Sequence, residues 1–473
     1  MDKLFYPESV AVFGASSKPT NIGRNIILNM QNWEYTGEIY PVNPRGEEVL
    51  GCSGYSSLEE IPGKVDLVVA FVPAGAVPGI LDQCGRKGVR DVAIPSGGFA
   101  ELGEEGEALT ALLKQKAAEH QIRFVGPNGL TVINAENGLC LPFLPMKKRS
   151  PGRISIISQS GGVGLSLIMF LDNAGRSFNK FISIGNKVDL DEVDFLEYLG
   201  SDPGTRVICL FLESMARGDR FMEVAARIDK PIIVYKANTT EVGARTARSH
   251  TAALANNDAV LTCALEQVGV TRVDSIRKLI RMAVAFELPP MKGDRIAVVS
   301  QAGGYTVLMS DEACKRDFTF PPLSGKLLEG FKDHVRADVI KMGNPLDLGD
   351  ILSTDAILYA LEGLVAQDDI DGVVSAILRR SDAVYDGAYE ALSREMWPDI
   401  GEIIKKYEKP IALCLLSQCE YSADVQRRMD FPVFETPEEA IEAIAILRDH
   451  HRSCTRGTSS RGSATATYRR PRT

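Results

Sequence analysis

Two stretches of this sequence carry side chains that could move a phosphoryl group. His250 follows GARTARS and opens SHTAALANNDAVLTCALEQVG, a helix pattern with Ser249 near its N-cap. Arg245, Arg248, Ser249 and Thr251 flank it, and their donors would stabilise a phosphoryl group on the imidazole. On these residues alone, a histidine capping an exposed turn is the better reading. Upstream, ISIISQSGGVGLSLIMFL reads as a buried strand, a Ser/Gly turn and a helix. The amides of Gly161, Gly162 and Val163 and the Ser160 hydroxyl would make an anion nest on a helix dipole. An ordinary strand-to-helix turn fits the same residues equally well. The other histidines (His120, His334, His450 and His451) lie in charged or terminal stretches and are expected to face solvent.

A third candidate lies near the start. SVAVFGAS is a strand entering a glycine turn, Gly14-Ala15-Ser16-Ser17-Lys18-Pro19, with Gly23 beyond. Such a turn aims amides and a helix start at the mouth of a sheet, where phosphates bind. The G-x-G-x-x-G spacing of dinucleotide folds is missing. Where such folds place an acid for the ribose hydroxyls, this chain has Asn43-Pro44-Arg45. A guanidinium grips phosphate with two donors, so these residues suit a phosphorylated ribose better than NAD. A generic sheet with polar loops is the alternative.

The elements that must position these groups alternate. After SVAVFGAS come the helix IGRNIILNMQ and the strands EIYPVNP, VDLVVAFVP, VRDVAIPSGGF and IRFVGPNG. Strands separated by helices predict a parallel, doubly wound sheet over 1–145, with ligands at the carboxyl ends of its strands. After MKKRSPG the chain carries an internal repeat. RISIISQSGGVG at 153–164 matches RIAVVSQAGGYT at 295–306, GNKVDL at 185–190 matches GNPLDL at 343–348, and KPIIVYK at 230–236 matches KPIALCL at 409–415. Two related α/β domains follow, 151–288 and 293–450, each expected to be a flavodoxin-like parallel sheet. The fold class is therefore α/β, with a Rossmann-like first domain and two flavodoxin-like domains after it.

Composition sets the outer limits. A chain of 473 residues, 45% hydrophobic and 24% charged, is that of a globular protein of roughly three domains. The net charge of −9 argues against a nucleic-acid partner. No uninterrupted run of apolar residues is long enough to cross a membrane, and MDKLFYPES has no signal-peptide pattern, so a cytoplasmic protein is expected. Nine cysteines show no paired metal-ligand spacing; Cys209 and Cys414 lie in apolar runs and read as buried thiols, and no metal site is expected. The last 22 residues carry six arginines and no acid, and without them the net charge is −15. Their composition predicts a basic, disordered tail over 452–473.

The order GASSKP, YPVNPR, FVPA, PSGGF and GPNG resembles the CoA-binding domain of succinyl-CoA synthetase α-subunits and ADP-forming acetyl-CoA synthetases. The resemblance covers residues 1–450. It implies that Gly14, Ser16, Ser17 and Lys18 meet the phosphates of CoA, with Asn43 and Arg45 by the adenosine end. Val72 and Pro73 would pack against the ligand, Ser96, Gly97 and Phe99 would line the pantetheine path, and Asn128 would sit near the thioester. The family often has Cys after that Asn; here Gly129 would widen the acyl site. SHTAALA is similar to the family's SHTGALA-type segment, which makes His250 the phosphorylated residue, with Ala252 and Asn256 in place of glycines. Glu213, closing VICLFLES, matches the carboxylate that orients the imidazole and leaves one ring nitrogen as nucleophile. Ser160, Gly161 and Gly162 would hold inorganic phosphate. The implied function is a nucleoside-diphosphate-forming acyl-CoA synthetase α-type subunit, with acyl-CoA and CoA as ligands. The 473 residues hold no ATP-grasp domain and no G-x-x-x-x-G-K-[ST] loop, so nucleotide and Mg are expected on an ATP-grasp β-subunit, in an α2β2 assembly. Rival readings are an NAD-dependent oxidoreductase and a non-catalytic, regulatory CoA-binding protein.

Overall fold

Burial on both faces shapes the first sheet. In β1 (Ser9–Phe13) Val10 and Val12 pack to one side and Ala11 and Phe13 to the other, so a continuous apolar run serves two helix layers. Its neighbours are β2 (Glu38–Val42), β3 (Leu67–Ala70), β4 (Asp91–Ala93) and β5 (Arg123–Val125), all parallel, in the order β2-β1-β3-β4-β5. Helix Arg24–Asn32 covers one face with Ile26, Ile27 and Met30. Helices Val77–Lys87 and Glu104–His120 cover the other.

The computed structural model describes residues 1–243, 258–331, 342–349, 353–379 and 395–461. They fall into two compact units, residues 1–171 with 177–279, and 172–176 with 280–473. The first unit also holds a seven-stranded sheet. Its strands are β6 (Thr131–Asn134), β7 (Leu139–Cys140), β8 (Ile154–Ser158), β9 (Phe178–Ser183), β10 (Val207–Leu212), β11 (Ile232–Lys236) and β12 (Thr271–Val273). They run in the order β12-β11-β10-β8-β9-β6-β7. The expected boundary near 145 is therefore crossed: β6 and β7 precede it, yet β6 pairs antiparallel with β9.

The second unit holds β13 (Ile296–Ser300), β14 (Leu346–Asp347), β15 (Gly372–Leu378), β16 (Ile411–Leu416) and β17 (Val433–Phe434), in the order β14-β13-β15-β16-β17. The repeat is visible as topology. Replacing β13 to β17 by β8, β9, β10, β11 and β12 in chain order reproduces the same arrangement, 2-1-3-4-5. This is the flavodoxin-like order, with its switch point between the first and third strands.

Three details differ from expectation. The final helix, Pro437–Arg461, continues into the segment expected to be disordered from 452, and Arg452 pairs with Asp294. His450 is half-buried against Phe286, ring centroids 4.9 Å apart, and burial lowers its pKa; helical periodicity, not local charge, sets its exposure. His120 is also half-buried and bonds Asp82 at 2.8 Å, in a group with Glu119 that Lys116 bridges. Cys209 and Cys414 are buried as expected. Among the described residues no helix is long and apolar enough to cross a membrane.

A buried ion cluster ties the N-terminal segment to the second sheet. Lys180 on β9 is fully buried and reaches both Asp202 oxygens at 3.0 Å, Asn179 Oδ1 at 2.8 Å and Glu136 at 3.5 Å, and Tyr6 bonds Glu136. Burial alone would lower the lysine's pKa, but the Asp202 carboxylate more than offsets it. Lys180→Met leaves Asp202 charged and buried, so chemical denaturation should show a loss of about 3 kcal/mol; a loss below about 1 kcal/mol would mean the cluster is dispensable.

Candidate functional site

The first sheet brings its predicted residues to its switch point. Gly14 follows β1 with φ +86°, and a Cβ there would lie 1.9 Å from the Phe71 carbonyl oxygen, just beyond β3. Only glycine fits where these two strand ends approach so closely. Asn21 then shapes the loop: its Oδ1 accepts from Ser16 N at 3.1 Å and Arg24 N at 2.9 Å, and its Nδ2 donates to Gly14 O. Ser17 and Lys18 are left exposed at the rim. An exposed, cationic turn ahead of helix Arg24–Asn32, closed to any side chain at Gly14, fits the phosphates of CoA.

Asn43 and Arg45 are placed differently from one another. Asn43 is 7% exposed and its amide is spent on its own turn, accepting from Arg45 N and Glu47 N and donating to Glu47 O. Arg45 is exposed and pairs with Glu47 at 2.8 Å. Glu47 also accepts from Ser17 Oγ at 3.0 Å, and that bond, followed by Arg45, lowers its pKa. The sequence reading found no acid at 43–45; the fold supplies one from four residues beyond Asn43.

Further along the edge, Ser96 Oγ donates to Val72 O at 2.6 Å, which ties the ends of β3 and β4 together, and Pro73 is exposed beside it. Asn128 N donates to Ser96 O at 2.8 Å. Gly97 and Asn128 are exposed side by side, and Asn128 Nδ2 reaches Asn186 Oδ1 at 3.3 Å. Asn186 in turn donates to Glu101 at 2.6 Å. Phe99 departs from the reading: its side chain is fully buried in the core and presents no face to a pantetheine path. Nor does Gly129 open space. A Cβ there would sit 2.7 Å from Ser183 O, so the residue marks a close backbone approach.

The second sheet repeats this geometry. Ser160 follows β8, and helix Gly161–Asn173 begins at once. Ser160 Oγ accepts from Val163 N at 3.4 Å, while Gly162 is exposed with open space around it. Glu213 follows β10, the strand paired directly with β8. Gln159 joins the two ends: its Oε1 accepts from Glu213 N at 2.9 Å and Ser214 N at 3.0 Å. The Ser160–Gly162 turn and the Glu213 turn therefore leave adjacent strands at one switch point. His250, with Arg245, Arg248, Ser249, Thr251, Ala252 and Asn256, lies outside the described residues.

Two lysines that sequence reasoning passed over belong to this site. Lys187 donates to Ser214 O at 2.7 Å and pairs with Glu192 at 2.8 Å. Lys236, 4% exposed at the end of β11, donates to Glu213 O at 2.8 Å and to Ala237 O. The available signal was KPIIVYK itself, an apolar strand that closes on a charge.

The first sheet thus carries exposed glycine turns at its switch point, and the second sets a Ser/Gly helix start beside a glutamate turn. Residues 8–135 match the family described as CoA binding domain, and residues 151–286 the succinyl-CoA ligase like flavodoxin domain. The chain is 37% identical to the α-subunit of ADP-forming acetate–CoA ligase II of Pyrococcus furiosus over 80% of this chain and 87% of that one. With the α-subunit of ligase I from the same organism, identity is 35% over 94% of this chain and 97% of that one. Among solved structures, the dinucleotide-forming acetyl-coenzyme A synthetase 1 of Ca. Korarchaeum cryptofilum, in complex with phosphate and ADP, superimposes with a TM-score of 0.86 at 29% identity, covering 98% of this chain and 99% of that one. The chain belongs to the ADP-forming acetate–CoA ligase family.

Lys236 carries a pH signature. Burial first, and the Arg272 guanidinium second, bring its pKa down from 10.5 to about 8. The folded chain then binds fewer protons than the unfolded chain between these values, so stability rises as pH climbs from about 8 toward 10.5. Denaturation of wild type and Lys236→Met at pH 7.5 and 10 should show wild type gaining relative to the variant at the higher pH. A pH-independent difference would contradict the buried, charge-strained lysine.

Proposed function

We propose that this chain is the CoA-binding, histidine-phosphorylating subunit of a nucleoside-diphosphate-forming acyl-CoA synthetase, running acyl-CoA + phosphate + NDP ⇌ carboxylic acid + CoA + NTP. The observation that carries the reading is the adjacency of the Ser160–Gly162 helix start and the Glu213 turn, bridged by Gln159. In the forward direction a phosphate oxygen, held by the amides after Ser160, attacks the thioester carbonyl. The C–S bond breaks, the sulfur leaves as the CoA thiol, and an acyl phosphate forms. The free nitrogen of His250 then attacks phosphorus and the carboxylate departs. Glu213 accepts a hydrogen bond from the N–H of the other ring nitrogen, which fixes the tautomer and stabilises the ring as it becomes cationic. Catalysis here is placement and charge complementarity, since phosphoryl transfer asks the protein for little covalent chemistry.

CoA is assigned to the first sheet's switch point, with its phosphates by Gly14, Ser16, Ser17 and Lys18, Arg45 toward the adenosine end, and its thioester end near Gly97 and Asn128. Two relatives that this chain covers over most of their length are named α-subunits, which supports a partner subunit. An ATP-grasp β-partner carrying nucleotide and Mg, an α2β2 assembly and a cytoplasmic location are carried over from the family resemblance.

Ligand choice separates this reading from an oxidoreductase. Titration calorimetry of the full chain should show binding of CoA and none of NAD, and Gly14→Ala, forced against Phe71, should lose CoA binding at least tenfold. Tighter binding of NAD would overturn it. The phosphoryl step is tested with acetyl-CoA and labelled inorganic phosphate. An acid-labile, base-stable phosphoprotein should form without nucleotide, vanish in His250→Asn with CoA binding intact, and slow in Glu213→Gln. Label persisting in His250→Asn would place the acceptor elsewhere.

A further inference from the structure

Glu213 and Ser214 lie beyond the end of β10, and side chains meet all four of their backbone groups. Gln159 Oε1 takes both N–H groups, at 2.9 and 3.0 Å. Lys236 Nζ donates to the Glu213 carbonyl at 2.8 Å, closer than Asn238 Nδ2 at 3.4 Å, and Lys187 Nζ donates to the Ser214 carbonyl at 2.7 Å. Gln159 also reaches Ser214 Oγ at 3.2 Å. Gln159 and Lys236, at the ends of β8 and β11, are each 4% exposed, and Lys187, in the turn after β9, is mostly buried. Burying two ammonium groups around one dipeptide is costly, and the fold does not demand it.

The second copy of the domain demonstrates this. Strand register equates Phe211 opposite Ser158 with Ala376 opposite Ser300, and Leu212 opposite Lys236 with Ile377 opposite Leu415. Glu213 thus corresponds to Leu378, Gln159 to Gln301, Lys236 to Leu415 and, through GNKVDL and GNPLDL, Lys187 to Pro345. Gln301 still accepts from Leu378 N, at 3.3 Å. The same strand order forms without either lysine, and both lysines are absent where the glutamate is absent.

We infer that Gln159, Lys187 and Lys236 are positioning residues that fix the backbone from which the Glu213 side chain is presented, holding it from both sides. The inference rests on the reading of Glu213 as the group that orients the phosphorylated imidazole. A site that tolerates displacements of about half an ångström needs its supporting backbone held. The clamp removes the backbone share of that freedom without touching the carboxylate itself.

The test is a double-mutant cycle on the full chain, reading phosphoprotein formation from acetyl-CoA and labelled inorganic phosphate. Gln159→Leu and Lys236→Met should each slow formation about ten- to hundredfold at saturating substrate, with KM for acetyl-CoA and CoA affinity within about twofold of wild type. In a Glu213→Gln background the same changes should add less than about twofold, because the group they position is already impaired. An undiminished further loss in that background would show a general structural role and overturn the inference, as would wild-type rates in Lys236→Met. If Gln159→Leu fails to fold, Lys236→Met completes the cycle alone, since it strands no paired carboxylate among the described residues. Glu213→Gln at wild-type rate would instead sink the reading of Glu213, an outcome distinct from slow Glu213→Gln with an unaffected Lys236→Met.

Discussion

The parallel pairing of β8 with β10, with Ser158 opposite Phe211, is the constraint on which the site depends. It makes two chain segments, more than forty residues apart in sequence, end side by side at one sheet edge. One continues into a helix that opens Gly161-Gly162. The other turns out of the sheet and carries a carboxylate. The proposed chemistry needs both within one site, and strand register sets that adjacency before any loop contributes. The first sheet uses the same arrangement at β1 and β3, where Gly14 and Phe71 approach too closely for any side chain.

Much of this was legible because it follows from local periodicity. Fully apolar runs between helical patterns specify buried parallel strands, and glycine turns mark where those strands end. Three matched landmarks were enough to reveal the duplication, later visible as identical strand order. What escaped the sequence is non-local. The short strands β6 and β7 carry no period that shows which sheet they join; only antiparallel pairing with β9 assigns them across the expected boundary. The family resemblance put Phe99 on the pantetheine path, yet its ring fills the core. Glu47 comes to Ser17 and Arg45 through a turn that no spacing rule encodes. Lys187 and Lys236 sit in motifs that were used only as repeat markers.

The two flavodoxin-like copies show how one scaffold separates folding from chemistry. Each keeps the buried strands and a glutamine at the end of its first strand that reaches across to the third. Only the first copy surrounds that bridge with charge. Where it has Glu213, Lys187 and Lys236, the second has Leu378, Pro345 and Leu415. Hydrophobic burial suffices for the shared order of strands, while the polar residues of the first copy impose a local direction on one turn at an energetic cost.

The central claim is that the amides after Ser160 form the phosphate site of this enzyme. A crystal structure of the chain grown with inorganic phosphate tests it most directly. The account predicts a phosphate with oxygens about 3 Å from the Gly161 and Gly162 amide nitrogens, on the side of the Glu213 turn. Phosphate bound at saturation elsewhere, with this helix start left vacant, would contradict it.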